Sequence, residues 1–249
     1  MEKKINKKLF EVKTPYHHIK IVEDNHIRKM LFGVGLCQEQ SAINLKNPNE
    51  HVYDYSRLAI YVLFFSPNPK NILILGLGGA VIPNQFVRIC PNAHIDILEI
   101  DPEVLTLSQK HFNFQESERV KVHIGDAFVT ISKLEKKYDI VISDIFTTRY
   151  IPFHIMSLEF LKKIEDVMEN KSVIAINVCN DHPSFHSHLH TIYEAFGDNL
   201  YRIDGPNNPL CSMIFASKGC PYTNKLDKLV IDERILGAKI FAMKNIQAV

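Results

Sequence analysis

Several features that would decide a function class are missing from this sequence. The chain has 29 basic and 28 acidic residues among 249, and a net charge of +1 gives no field that would draw it to nucleic acid or to a membrane surface. No apolar run approaches the ~18 residues of a membrane-spanning helix. The five cysteines are scattered without a C-x-x-C pair, which is typical of reduced thiols. We therefore expect a soluble, cytoplasmic protein that binds neither nucleic acid nor membrane.

Motifs of hydrolases and of phosphate-binding proteins are also absent. No G-x-S-x-G elbow is present, which argues against a serine hydrolase. The main glycine cluster reads G-L-G-G-A at residues 76–80, with Val81 where a dinucleotide-binding loop would carry its third glycine, and no Walker lysine follows. Such a loop suits a nucleoside without phosphates, for example S-adenosylmethionine (AdoMet). The alternative is an ordinary strand-to-helix turn.

The stretch around this cluster organises the rest of the chain. Asn71–Leu75 is a short apolar run that predicts a buried parallel strand, and residues 80–90 predict the helix that follows the glycines. Without a Cβ atom the chain can turn tightly and a ligand can approach its backbone. The glycines assigned to this turn are Gly76, Gly78 and Gly79.

A second strand is predicted at residues 94–100, and its end is acidic. Glu99 and Asp101 lie about 20 residues beyond the glycines, where a carboxylate accepts the hydroxyls of a bound ribose. The two strands together predict a nucleoside-binding α/β unit.

The region before this unit predicts a small antiparallel sheet. Alternating runs at residues 16–22 and 26–32 flank a turn signal and predict a hairpin, and the glycines at 33 and 35 followed by residues 36–45 predict a further hairpin. Residues 48–65 carry an apolar stripe that predicts a helix. The predicted domains are residues 1–47, the N-terminal β domain, and residues 48–249, the catalytic domain.

After residue 71 strands and helices alternate, which indicates a parallel sheet. Further strands are predicted at residues 120–124, 138–143, 172–178, 199–204 and 211–217, and helices at 102–112, 127–136, 156–168, 184–196 and 227–243. An alternating sheet closed by a terminal hairpin is the layout of seven-stranded AdoMet-dependent transferases. The fold class predicted is α/β, a Rossmann-like seven-stranded AdoMet-transferase sheet with a small N-terminal antiparallel β domain.

Acidic or glycine-rich residues follow four successive strands, where ligands bind in open α/β sheets. Besides the first two strand ends, these are Gly125 with Asp126, ahead of Ala127, and Asp144; the polar stretch from Asn177 to Asn180 follows the next strand. Asp126 alone could be a helix cap and Asp144 alone a loop residue. Taken together they predict a binding site in which Glu99 takes the ribose, Asp126 the adenine amine, and Asp144 lies near the sulfonium and the acceptor.

Motifs along most of the chain resemble the spermidine synthase (polyamine aminopropyltransferase) family, especially its divergent spermidine-synthase-like branch. They are TPYHHI (14–19), GVGLCQ (33–38), NEHVYDY (49–55), ILILGLGGA (72–80), ILEIDPEV (97–104), RVKVHIGDAF (119–128) and YDIVISDIFTTRYIPFHI (138–155). The resemblance implies that Gln38 and Glu99 hold the nucleoside, that Asp144 is the base or the electrostatic anchor for the attacking amine, and that Tyr53 helps to place the acceptor.

The predicted site combines this resemblance with the strand ends. The predicted donor-binding residues are Gln38, Gly76, Gly78, Gly79, Glu99, Asp101, Asp126 and Ala127. The predicted acceptor-binding residues are Tyr53, Asp54, Thr147 and Tyr150, with Asp144 catalytic. Tyr150, Ile151 and Phe153 lie in a loop that would form a lid or an ordinary surface connection.

Two positions depart from the family pattern. Gly79 stands where the family has the aspartate that holds the amino group of decarboxylated AdoMet, and Thr147 replaces the second carboxylate after the fourth strand. The resemblance therefore predicts aminopropyl transfer to an amine, and the departures favour methyl transfer.

The expected co-substrate is AdoMet or decarboxylated AdoMet, and the expected acceptor is a polyamine-like small molecule or a protein amine. Family dimers predict a homodimer. The alternative outside the enzymes is a catalytically silent protein that binds a nucleoside.

His182 and His186 have the i, i+4 spacing of zinc ligands, but no further ligand completes a set, and no metal is expected.

Overall fold

The fold consists of two β-sheets, the larger of which is covered by helices. A computed structural model describes residues 7–34, 38–148, 150–208, 210–218 and 239–242. Within them, no helix is long and apolar enough to cross a membrane.

The first sheet, here called the N-terminal sheet, is antiparallel throughout. Its strands are β1 (Lys7–Lys13), β2 (His18–Asp24), β3 (Ile27–Phe32) and β4 (Gln38–Asn44), in that spatial order. The β2–β3 turn places Asn25 and His26 at positive φ, which is the geometry of a tight two-residue hairpin. The predicted antiparallel sheet is confirmed, and β1 is a strand that the sequence did not predict.

The helix predicted from residue 48 begins later, at Asp54. Helix α1 covers Asp54–Ile60 and continues as a 3-10 turn over Tyr61–Phe64. Residues 45–50 instead form turns, because the Asn44 side chain accepts hydrogen bonds from the N–H groups of Lys46 and Asn47. Those local bonds compete with helix formation.

The second sheet, the main sheet, contains the seven predicted strands and one more. The strands are β5 (Asn71–Leu75), β6 (His94–Glu99), β7 (Val120–Ile124), β8 (Tyr138–Ser143), β9 (Met168–Cys179), β10 (Leu200–Asp204), β11 (Cys211–Lys218) and β12 (Lys239–Ala242). The spatial order is β12-β10-β11-β9-β8-β5-β6-β7, with β5 to β9 parallel and β10 to β12 antiparallel to their neighbours. The strand order reverses between β5 and β8, where α/β proteins place their ligands.

The helices between these strands lie close to their predicted positions. They are α2 (Val81–Ile89), α3 (Pro102–His111), α4 (Ala127–Thr130), α5 (Leu158–Val167) and α6 (Phe185–Phe196). Helix α4 is much shorter than predicted. The predicted helix at residues 227–243 is wrong at 239–242, which pair with β10 as a strand; the rest of it lies outside the described residues.

The core has two apolar layers, one on each face of the main sheet. Along β5, Ile72 and Ile74 belong to one layer and Leu73 belongs to the other, so the strand is buried on both faces. The first layer also contains Ile19 and Met30 of the N-terminal sheet. The two sheets therefore share one core, which holds the N-terminal sheet against the main sheet.

A buried carboxylate fixes the loop between β10 and β11. Asp54, at the start of α1, accepts hydrogen bonds from the backbone N–H groups of Asn207 (2.7 Å) and Asn208 (2.6 Å) and from Asn207 Nδ2 (2.9 Å). Gly205 passes so close to Asp54 that a Cβ atom there would lie 2.7 Å from its carboxylate. This clamp ties the loop to α1.

Replacing Asp54 with Ala should lower the free energy of unfolding by about 2 to 4 kcal/mol, because two backbone N–H groups lose a charged acceptor. Urea unfolding followed by circular dichroism measures it. Asp166→Ala, on the exposed face of α5, is the matched control and should change stability little. Equal effects of the two substitutions would contradict the clamp.

Candidate active site

A cavity of about 870 Å³ lies at the carboxyl ends of β5 to β9. Its opposite wall comes from the N-terminal sheet and the start of α1, and the loop before β11 closes one side. The site is therefore built from both sheets.

Most of the predicted site residues meet in this cavity. Those on its wall are Gln38, Tyr53, Asp54, Gly76, Gly78, Glu99, Asp126, Ala127, Asp144 and Thr147. Gly79, Asp101 and Tyr150 do not line it.

Asp101 has a structural role instead of a place on the wall. Its side chain is buried, caps α3 by accepting from the Glu103 N–H (3.0 Å), and accepts from the Thr14 hydroxyl (2.5 Å). Asp101 thus joins the N-terminal sheet to the main sheet, and both of its oxygens are engaged.

Gly79 faces the N-terminal sheet and not the cavity. Its N–H donates to the Ser41 hydroxyl (2.8 Å), and a Cβ atom at this position would lie 2.7 Å from Ser41 Cβ and 3.0 Å from the Phe112 ring. Gly76 has a different reason to be glycine. Its φ is +95°, and a Cβ atom there would lie 2.5 Å from the Asp144 carbonyl.

The loop after β8 has its polar groups turned onto its own backbone. The Thr147 hydroxyl and N–H both donate to the Tyr150 carbonyl (3.0 and 2.9 Å). The Tyr150 side chain is 53% exposed and is not among the residues that line the cavity. Its contact with an acceptor stays a prediction, and the loop itself borders the cavity through Thr147 and Thr148.

Glu99 at the end of β6 is held by the glycine turn. It is buried and accepts hydrogen bonds from the N–H groups of Leu77 (3.0 Å) and Asp101 (2.9 Å). Burial raises the pKa of Glu99, and the backbone donors oppose that shift. Each oxygen receives one N–H, so each retains capacity to accept from a ligand hydroxyl.

Asp126 at the end of β7 lines the cavity and also caps a helix. One carboxylate oxygen accepts from the Phe128 N–H (2.9 Å) and caps α4. The other lies 3.5 Å from His154 Nε2. Both roles considered from the sequence, cap and cavity residue, therefore apply to this residue.

Asp144 at the end of β8 is a half-buried carboxylate on the cavity wall. Its side chain accepts one hydrogen bond, from Asn177 Nδ2 (2.8 Å), in the described part of the chain. Burial raises the pKa of Asp144 to about 7, against the opposing effect of Asn177. A carboxylate with this pKa exchanges a proton readily near neutral pH, as a general base requires.

The cavity as a whole favours cations. Five carboxylates line it: Glu39, Asp54, Glu99, Asp126 and Asp144. No lysine or arginine is found among its described lining residues. Glu39 accepts from the Tyr53 hydroxyl and pairs with Lys29 (2.6 Å), so its charge is partly balanced from outside. A sulfonium or an ammonium group would be stabilised here.

Sequence reasoning missed several wall residues. Tyr55 donates to the Gln40 carbonyl (3.1 Å) and lies near the Ser41 hydroxyl (3.3 Å), and Cys211 lies beside Asn177. Gln40 reaches across the cavity, where its side chain lies 3.5 Å from the Thr148 carbonyl. None of these contacts has a local sequence signal, because each joins residues at least 14 positions apart.

No group of three or more metal-ligating side chains occurs in the described ranges. The His182 and His188 rings stack on each other with centroids 6.3 Å apart.

Comparison with known proteins agrees with the resemblance found in the sequence. The family model of the spermine/spermidine synthase domain matches residues 50–203. A polyamine aminopropyltransferase of Vibrio vulnificus is 31% identical over 195 residues, which are 76% of this chain and 65% of that protein. An eEF1A lysine and N-terminal methyltransferase of Xenopus laevis is 27% identical over 64% of this chain and 25% of that protein. The chain thus spans just under two thirds of the first relative and a quarter of the second.

Solved structures confirm the predicted fold. A spermidine synthase in complex with the transition state analogue AdoDATO matches with a TM-score of 0.72 at 17% identity, over 98% of this chain and 82% of that chain. Human methyltransferase-like protein 13 in complex with SAH matches with a TM-score of 0.63 at 22% identity, over 74% of this chain and 92% of that chain.

The raised pKa of Asp144 predicts a pH-dependent stability. The folded state holds this proton more tightly than the unfolded state, so the stabilisation is complete below the unfolded pKa near 3.8 and is lost as pH rises to about 7. Between pH 5 and pH 8 the wild-type protein should therefore lose about 2 kcal/mol relative to Asp144→Asn. Urea unfolding of both proteins at the two pH values measures this difference. Asp166→Asn is the exposed control, and a wild-type minus Asp144→Asn difference that does not change with pH would contradict the assignment.

Proposed function

Because the chain belongs to the spermine/spermidine synthase domain family, we propose that it is a transferase that moves an alkyl group from an AdoMet-type sulfonium to an amine. The observation that carries this proposal is the set of three strand-end carboxylates, Glu99, Asp126 and Asp144, in one cavity without a described lysine or arginine. Two of them suit a nucleoside and the third suits an amine.

The donor would bind along the ends of β5 to β7. Glu99 would accept hydrogen bonds from the ribose hydroxyls, and Asp126 would accept from the adenine amine. Gly76 and Gly78 leave the backbone open beside the donor, and Ala127 and Gln38 complete the walls. The solved relatives with SAH and AdoDATO support a ligand of this class.

The acceptor amine would lie between Asp144 and the donor. Its nitrogen attacks the carbon next to sulfur, the carbon–sulfur bond breaks, and the sulfonium becomes a neutral thioether. The nitrogen loses a proton to Asp144, whose pKa of about 7 suits that transfer. Tyr53 and Thr147 would shape the acceptor side. Asp54, predicted as an acceptor contact, instead clamps the loop that forms this wall.

The charge of the cavity favours decarboxylated AdoMet as the donor, and hence aminopropyl transfer. AdoMet carries one more carboxylate than decarboxylated AdoMet. The five carboxylates of the described wall would repel that group, and no lysine or arginine on this wall would bind it. A polyamine-like acceptor, itself cationic, suits the same field.

A second candidate is methyl transfer from AdoMet to a small-molecule or protein amine. Gly79 favours it, because the family aspartate at this position cannot fit against Ser41 and Phe112. The eEF1A methyltransferase relative supports the protein-amine form of this candidate. For either reaction a homodimer in the cytoplasm, without a metal, stays a prediction.

The two candidate reactions leave different products. We expect decarboxylated AdoMet and a diamine such as putrescine to yield methylthioadenosine, whereas methyl transfer would yield S-adenosylhomocysteine; liquid chromatography with mass spectrometry distinguishes the two. Asp144→Asn should lower turnover by at least ~100-fold and leave donor binding within about twofold. Donor binding without turnover by the wild-type protein would favour the silent alternative.

Glu99 tests the donor site alone. Glu99→Gln should weaken donor binding by about 10- to 100-fold in calorimetric titration, because charged acceptors for the ribose hydroxyls are lost. Glu118→Gln, at an exposed position before β7, is the matched control. Unchanged affinity in Glu99→Gln would contradict the donor site assigned here.

A further inference from the structure

The structure links Asp144 to two further side chains, Asn177 on β9 and Cys211 on β11. Asn177 Nδ2 donates to Asp144 Oδ1 (2.8 Å), and the Cys211 thiol donates to Asn177 Oδ1 (3.8 Å). We propose that Asn177 and Cys211 are positioning residues that orient Asp144 and favour its ionised form. The proposal rests on the proposed function only for the role of Asp144 as the proton acceptor.

Strand register brings the three residues together. Parallel pairing of Ser143 with Ile176 places the next residues, Asp144 and Asn177, side by side at the ends of β8 and β9. Across the antiparallel pair, Asn177 is opposite Met213, so Cys211 is its diagonal neighbour on the same face. The contact therefore follows from the sheet and does not depend on a loop.

The protonation state of Cys211 determines which way the Asn177 amide points. Burial raises the pKa of the Cys211 thiol to about 12, and the negative charges of Asp144 and Asp54 add to this effect. The thiol therefore stays protonated near neutral pH and is a donor. Asn177 must turn its oxygen to the thiol, which leaves its N–H₂ group for Asp144.

The other groups around Asp144 do not stabilise its charge. Tyr55 of α1 has its pKa raised mainly by burial and further by Asp144, so it is a neutral neighbour, and Asp54 of the same helix is engaged by the N–H groups of the loop before β11. Cys179 at the end of β9 donates to Asp181 and not to this group. With no lysine or arginine on the described wall, the Asn177 amide is the main group opposing the burial of the carboxylate.

A direct titration of Asp144 tests the proposal without any substrate. In protein labelled with ¹³C at the aspartate carboxyls, the Asp144 signal is identified by its absence from Asp144→Asn. Its midpoint should rise by about one pH unit in Asn177→Leu and by about half a unit in Cys211→Ala. Cys211→Ser replaces the thiol with another donor, a hydroxyl, and should therefore keep the wild-type midpoint. Cys179→Ala is the matched control and should leave it unchanged.

Equal midpoints in wild type, Asn177→Leu and Cys211→Ala would overturn the proposal. If Asn177→Leu does not fold, the comparison of the Asp144 midpoint in Cys211→Ala and in Cys179→Ala tests the proposal by itself. The two variants are matched because each removes one thiol from the β9–β11 pair.

The pH profile of turnover gives a second reading. The acidic limb of kcat/KM should move upward by about one unit in Asn177→Leu, which is about tenfold lower activity at pH 6 and no loss at pH 9. A loss of equal size at both pH values would indicate a merely structural role and would contradict the proposal. Shifted NMR midpoints in a protein without turnover would support the positioning role and count against the proposed function.

Discussion

The candidate site depends on the contact between the N-terminal sheet and the glycine turn of the main sheet. The Gly79 N–H donates to the Ser41 hydroxyl, and the Thr14 hydroxyl donates to Asp101 beyond the second strand. Both contacts hold β4 and the start of β2 across the carboxyl ends of β5 and β6. Because Ile19 and Ile72 belong to one apolar layer, this placement is also supported by the core. The main sheet alone would carry the strand-end carboxylates but would lack the opposite wall.

The strand-end carboxylates differ because each has a different balance between burial and hydrogen-bond donors. Glu99 receives two backbone N–H groups, one of them from the turn after β5, so the acidic residue and the glycine turn form one structural unit. Asp126 keeps one oxygen on its helix cap and the other 3.5 Å from His154 Nε2. Asp144 has one amide donor against burial, and burial raises its pKa to about 7. Similar side chains at equivalent strand ends thus become suited to hydrogen bonding in two cases and to proton transfer in the third.

The site residues that could be predicted from the sequence are those whose positions follow from the sheet topology. Parallel strands end at one edge, so Glu99, Asp126 and Asp144 had to converge wherever the alternating pattern was correct. The structural roles of Asp101 and Asp54 could not be predicted, for the opposite reason. Their acceptors are taken by Thr14 and Asn207, which lie 87 and 153 residues away, and no local pattern predicts such partners. The start of α1 was misplaced because the Asn44 side chain stabilises a turn that competes with the helix signal at residue 48.

The absence of the family's aspartate at Gly79 goes together with the packing around the glycine turn. A side chain at this position would collide with Ser41 and with the Phe112 ring, so the N-terminal sheet and α3 have closed over the space that the family's aspartate needs. The ammonium of an aminopropyl donor would then have to be met by another carboxylate. On the described wall Glu39 of β4 is the acidic residue that the N-terminal sheet contributes, and it is already bound by Tyr53 and Lys29. In the proposed function, discrimination between the two donors would therefore depend on the wall that β4 forms, since the space at Gly79 is filled by Ser41 and Phe112.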